Sequence, residues 1–184
     1  MSKSILDGLR DHRPAEKEDG GNSGQFFCGD IDMRIARDGT WYYLGSPIGR
    51  QALVKLFATV LRRDTDGDFW LETPVEKCRI QVEDAPFVAV EMTVTGAGVE
   101  QKLEFRTNVD EIVIAGPDHP IRVDTDSTTG EPSPYIMVRD GLEALIARAV
   151  FYDLVELAEE RRVDGATTLV VCSDATSFSL GALD

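Results

Sequence analysis

A chain of 184 residues, 42% of them hydrophobic, is long enough to bury a core as one domain or as two small ones. Its 33 acidic and 19 basic residues give a formal charge of −14, which disfavours a nucleic-acid polymer or an anionic membrane as partner, since both require clustered Lys and Arg. No uncharged run approaches the ~18 residues of a membrane span, residues 1–13 lack the apolar core of a secretion signal, and Cys28, Cys78 and Cys172 have no paired spacing, so a soluble cytoplasmic protein with three free thiols is expected.

In chain order, residues 1–25 end in a Gly/Asn/Ser stretch and read as a mobile arm. Ile31, Met33 and Ile35 alternate with Asp32 and Arg34, Asp38-Gly39 supplies a turn, and Thr40–Leu44 returns as the second strand of a hairpin. Ser46-Pro47 predicts a helix start, and Leu53, Leu56, Phe57, Val60 and Leu61 give that helix one buried face as far as Arg63. Strands follow. Phe69–Glu72 comes after an Asp66-Gly67 turn, then Cys78, Ile80 and Val82 face opposite to Lys77, Arg79 and Gln81. Val88, Val90, Met92 and Val94 alternate up to a Gly96-Ala97-Gly98 turn, and Leu103 and Phe105 return. Ile112–Ile114 and Ile121–Val123 are shorter strands, which makes the whole run an antiparallel meander. Asp140 and Glu143 form a capping box for a second helix, whose buried side runs through Leu142, Leu145, Ile146, Ala149, Leu154 and Leu157 towards Arg162. A turn at Asp164-Gly165 leads to a final strand, Thr167–Cys172.

The two halves rhyme: each reads hairpin, amphipathic helix, Arg-Arg, Asp-Gly turn, strand. Duplication is one explanation, and chance likeness of two similar local units is the other. Division into 26–95 and 96–184 follows from this pattern. Charge is uneven, with −10 of the −14 carried by residues 107–184, so any anion site is expected in the first half or on the seam between halves.

Most motif-like stretches have plain readings. Asp124-x-Asp126-x-Thr128 imitates a phosphatase nucleophile loop, but that chemistry needs a later Lys and the last lysine is Lys102; a polar hairpin loop is expected instead. Asp64-x-Asp66-x-Asp68 has Phe69 and Val75 where a calcium loop needs Gly and Glu, so a solvated turn is expected. His119, between Asp118 and Pro120, is either an exposed loop residue or a ligand donor. Cys28 is either a buried structural cysteine or a reactive thiol. No pattern calls for a metal or cofactor, and none dictates a reaction, so the reading leans away from an enzyme. What remains is a polar cluster: Arg50 at a helix opening, Lys77 and Arg79 on one strand face, and Thr107-Asn108 closing another strand. Its plain alternative is a rim of ordinary surface pairs.

Phe27-Cys28-Gly29-Asp30-Ile31-Asp32-Met33-Arg34-Ile35, Asp38-Gly39-Thr40-Trp41, Gly45-Ser46-Pro47-Ile48-Gly49-Arg50, Thr73-Pro74-Val75-Glu76-Lys77 and Val82-Glu83-Asp84-Ala85-Pro86-Phe87 form a distinctive series. With Thr107-Asn108, these blocks resemble the proteobacterial domain-of-unknown-function family DUF 1285 over most of residues 26–184. The resemblance implies a two-part, β-rich, internally duplicated fold whose second part is loosely pleckstrin-homology-like. It further implies a small-ligand site between the parts, for a nucleotide-like compound, and a signalling role. It supplies no catalytic residues.

The resulting expectation is an α+β protein of two similar units, each an antiparallel sheet packed with one helix. Its function is to bind a small anionic ligand through Arg50, Lys77, Arg79, Thr107, Asn108 and His119. A protein-interaction module using sheet edges or the acidic second half is the rival reading, and an enzyme whose site cannot be read from sequence is a third.

Overall fold

Alternating strands, tight turns and two short amphipathic segments give a β-rich molecule, seen here as a computed structural model that describes residues 26–163 and 165–183. The predicted arm, 1–25, and Asp164 of the predicted Asp164-Gly165 turn lie outside the described residues. Two compact units emerge among the described residues, one of residues 26–35 and 40–82, the other of 36–39 and 83–183. The expected division after residue 95 would cut the β-hairpin on either side of Gly96; the observed one falls between two strands that do not pair.

The first unit contains β1 (Phe26–Ile35), β2 (Trp41–Tyr43), β3 (Ser46–Pro47), α1 (Gln51–Val60), β4 (Leu61–Arg63), β5 (Phe69–Glu72) and β6 (Glu76–Val82). Its single sheet has the order β3-β2-β1-β6-β5-β4, two antiparallel three-strand meanders joined where β1 runs parallel to β6. The sheet is therefore mixed, not purely antiparallel as expected. Period-two alternation sends Met33, Ile35, Leu71, Cys78 and Ile80 inward, where they meet Val54, Phe57 and Ala58 of α1 in the core. Trp41 stacks on Phe57 with ring centroids 6.0 Å apart.

Four expectations for this unit are corrected. Ser46-Pro47 does not cap a helix: Leu44 and Gly45 take positive φ and fold a tight turn, and Ser46-Pro47 pairs with Tyr42-Tyr43 as an edge strand, a place a proline tolerates. The helix starts later, at Gln51, and ends at Val60, because Leu61–Arg63 pairs with Phe69–Leu71. The cysteines are not all free. Cys28 and Cys78 form a disulfide across the parallel β1–β6 junction, where Gly29 stands opposite Cys78, while Cys172 is free. Cys28 is part-exposed, not buried.

The second unit contains β7 (Phe87–Thr95), a 3-10 turn at Gly98–Glu100, β8 (Lys102–Thr107), β9 (Ile112–Ile114), β10 (Ile121–Thr125), β11 (Pro132–Arg139), β12 (Leu142–Ile146), α2 (Arg148–Glu156), β13 (Glu159–Val163), β14 (Ala166–Ser173) and β15 (Thr176–Leu183). One sheet has the order β10-β11-β12-β7-β8-β9, again two meanders joined by a parallel pair, β12 with β7; β13-β14-β15 form a third, separate meander. The tip of the β14–β15 hairpin is pinned to the larger sheet. Buried Ser173 donates its hydroxyl to the Ala115 carbonyl at 2.7 Å and accepts the Leu103 N–H at 2.9 Å.

The predicted capping box is a turn. Asp140 and Gly141 both have positive φ, 41° and 76°, the signature of a two-residue hairpin turn between β11 and β12. Leu142, Ala144 and Ile146 then alternate as buried strand residues, and the helix spans only nine residues, burying Val150, Phe151 and Leu154. In β7 a bulge between Ala89 and Glu91 breaks the expected alternation, so Val90 is exposed while Phe87, Val88 and Ala89 are all buried. Meander, helix, meander is thus the order of both 26–82 and 121–183, a repeat of elements; the first pair of meanders merges into one sheet and the second pair does not. Among the described residues no helix is long and apolar enough to cross a membrane.

Candidate functional site

Arg50, Lys77 and Arg79 belong to the first unit, Thr107, Asn108 and His119 to the second. Arg50 is exposed at the mouth of α1, where its carbonyl accepts the Leu53 N–H at 2.9 Å. Lys77 and Arg79 are brought together over one ring. Alternation on β5 places Trp70 opposite to Leu71, and register sets Trp70 beside Arg79 and Glu72 beside Lys77. The Lys77 ammonium sits 4.7 Å from the Trp70 ring centroid and the Arg79 guanidinium 5.7 Å. Phe27, about half exposed, lies across from Lys77 on β1, its ring tilted 48° to Trp70 at 5.5 Å. The Trp70 indole N–H donates to Asp64 Oδ2 at 2.7 Å.

The two cations differ in availability. Arg79 is engaged by two carboxylates: Nε and Nη2 donate to Asp30 at 2.5 and 3.0 Å, and Nη1 donates to Asp68 at 3.0 Å. Those bonds push the guanidinium pKa further up and hold the Asp30 carboxyl below its ordinary range, chiefly through the hydrogen bond from Arg79. Among the described residues, Lys77 has only Glu72 as an ion-pair partner, with Nζ 4.0 Å from Oε2. Chemically, this patch offers the half-exposed ring of Phe27, packed on a buried Trp70, next to one loosely paired ammonium.

Asp64 Oδ1 accepts the N–H groups of Asp66 and Asp68, so the carboxylates of that stretch build the predicted turn. Asp126 does the same for Thr128 and Thr129, in keeping with a polar hairpin loop.

Thr107 and Asn108 hold backbone. Thr107 is fully buried, and its hydroxyl accepts the Glu111 N–H at 3.0 Å and the Val109 N–H at 3.4 Å. Asn108 Oδ1 accepts the Val88 N–H at 3.0 Å while Nδ2 donates to the Gly39 carbonyl at 3.3 Å. Gly39 must be glycine there: its φ is +83°, and a Cβ would come within 2.5 Å of the Asn108 amide.

His119 lines a groove of about 330 Å3 with Lys102, Glu104, Ile112, Ile114, Asp118 and Asp174 among its walls. Its Nδ1 lies 3.0 Å from the Met137 carbonyl, which fixes the ring and leaves Nε2 as the nitrogen for any ligand. Lys102 pairs with Asp174 at 3.6 Å. Sequence reasoning missed Phe27, Trp70 and this groove. Alternation within Phe69–Glu72 would have put Trp70 on the face of Glu72, but which strand pairs with β5 cannot be read from one sequence. Among the described residues no group of three or more metal-ligating side chains forms.

The architecture is thus an α+β chain of two units, each holding one six-stranded mixed sheet and one helix. Family models for the N-terminal and C-terminal domains of DUF1285, both described as of unknown function, match residues 25–85 and 86–180. The chain belongs to the DUF1285 family. A crystal structure of a DUF1285 protein from Silicibacter pomeroyi DSS-3 is similar over 100% of this chain and 97% of that one, with 45% identity and a TM-score of 0.81. Another, from Shewanella baltica OS155, is similar over 68% of this chain and 91% of that one, with 29% identity and a TM-score of 0.55. No curated protein matches.

Proposed function

We propose that the protein is a non-enzymatic binding module for a small anionic, nucleotide-like ligand, used in signalling. The observation that carries this reading is the Lys77 ammonium over Trp70, beside the exposed ring of Phe27 and with the nearest carboxylate among the described residues at 4.0 Å. A planar base stacks on an aromatic face, and a phosphate is drawn to an ammonium that is not firmly paired. Charge supports the first unit as the place: its residues 26–35 and 40–82 hold seven basic and seven acidic side chains, against eight and twenty in the second unit. An anion meets no net repulsion from the first set and strong repulsion from the other. Arg79, fixed by Asp30 and Asp68, acts here as a support that keeps the Trp70 face ordered.

The test is titration of the full chain with purine and pyrimidine mononucleotides, followed by thermal shift and tryptophan fluorescence. A ligand at ~100 times its dissociation constant raises stability by ~2.7 kcal/mol. Lys77→Ala is expected to weaken the response about tenfold and Phe27→Ala to weaken it similarly, both with the fold intact. No response to any mononucleotide, or a Lys77→Ala protein that responds like the wild type, overturns the proposal.

A further inference from the structure

The second unit presents a different surface. Among the described residues, β9 is an edge strand of the six-stranded sheet, bonded on one side only, to β8. Ala115 N–H donates to the Leu103 carbonyl and the Glu111 carbonyl accepts the Thr107 N–H, so odd-numbered residues of this segment face β8. In an antiparallel pair the intervening residues turn their N–H and C=O groups away, which leaves those of Ile112 and Ile114 on the open side. Their side chains are also out, 58% and 37% exposed. The strand contains none of the lysines, prolines or bulges that commonly blunt an edge.

The groove beside β9 has a definite sign. Among the described residues, each nearby cation is neutralised within the unit: Lys102 by Asp174, Arg106 by Glu91 and Asp110, Arg139 by Glu111. Glu104 and Asp118 both line the groove, and neither has a cation partner among the described residues. Uncompensated negative charge thus flanks an apolar, unpaired edge, in a unit whose acidic residues outnumber its basic ones by twenty to eight.

We propose that β9 is a docking edge for an extended, basic segment of a partner protein, which adds as a strand to the sheet. Backbone bonds to Ile112 and Ile114 would hold it, alternate apolar side chains would cover the two isoleucines, and its Lys or Arg side chains would meet Glu104 and Asp118. A second copy of this chain fits less well, because pairing β9 with β9 would bring two sets of these carboxylates together.

The probe is a fluorescent eight-residue peptide alternating valine and lysine, titrated into the full chain, with a valine–glutamate peptide of the same length as control. The basic peptide is expected to bind at least tenfold more tightly than the acidic one, with hydrogen exchange slowed at the Ile112 and Ile114 amides. Ile114→Pro removes an outward N–H and no bond to β8, and is expected to lower affinity about tenfold or more. Should that variant not fold, the Glu104→Lys/Asp118→Lys double variant carries the test, with the same loss expected. Equal binding of both peptides, no binding, full affinity in the tested variant, or binding without protection of the two amides overturns the proposal. So does a dimer of the chain alone that the tested variant dissociates, since a second copy would then occupy the edge.

Discussion

Asp64 shows how much one side chain can organise. It accepts the Trp70 indole and the N–H groups of Asp66 and Asp68, and the indole bond is the main reason its carboxyl is held below the ordinary aspartate value of 3.8. Because the folded pKa is depressed, its contribution is present above that ordinary value and is lost as pH falls through the lower folded one. An acid titration read by tryptophan fluorescence should therefore show a transition below pH ~4 that is missing in Asp64→Asn; identical acid profiles would remove the link. Asn108 gives a second prediction. Removing its amide leaves the Val88 N–H without an acceptor and the Gly39 carbonyl without that donor, so Asn108→Ala should lose about 1–3 kcal/mol in denaturant unfolding. A loss under 0.5 kcal/mol, the ordinary range for a surface change, would show that the pair is dispensable.

Sequence pattern and structure part where two local codes compete. Asp140-Gly141 satisfies both a capping box, with Glu143, and a two-residue hairpin turn, and the turn prevails because Leu142, Ala144 and Ile146 bury one strand face. Glu143, freed from a cap, pairs instead with Arg122 on β10, with Nε to Oε1 at 2.7 Å. Gly141, at φ 76°, is the position to test: Gly141→Ala should lower stability by about 1–2 kcal/mol, whereas a helix interior there would gain stability from the same change. Strands with clean alternation, such as β6 and β8, were legible because period two is a local property. Parallel junctions were not, since nothing within β1 announces that β6 will lie beside it fifty residues later. The candidate site follows the same rule: Lys77 and Arg79 were visible as one strand face, while the ring beneath them belongs to β5 and came into view only with the register.

Across the whole molecule, covalent chemistry and charge act on different units. The Cys28–Cys78 disulfide closes a separation of 50 residues in the first unit, and a chain-entropy argument puts its contribution at about 4 kcal/mol. Unfolded, unreduced protein should expose one titratable thiol, Cys172, and reduced protein three. Reduction should also lower the melting temperature by on the order of 10 °C. Three thiols without reductant would show that the bridge does not form. In the second unit the excess of carboxylates repels itself, so added salt should raise its melting temperature by screening, and a fall on going to ~0.5 M salt would count against that account.

The parallel seam has a kinetic consequence. Each meander is built from contacts close in sequence, and such hairpins form in microseconds. Joining β1 to β6, or β7 to β12, must instead close a long loop before any ladder bond is gained. The seam in the middle of each sheet is therefore the last part to assemble, reversing the usual image of a sheet that grows outward from its centre. A cross-link placed on a late-forming contact leaves the folding rate almost untouched and slows unfolding. Cys28–Cys78 lies on such a contact, and its effect belongs in the lifetime of the folded first unit rather than in the speed with which that unit is reached.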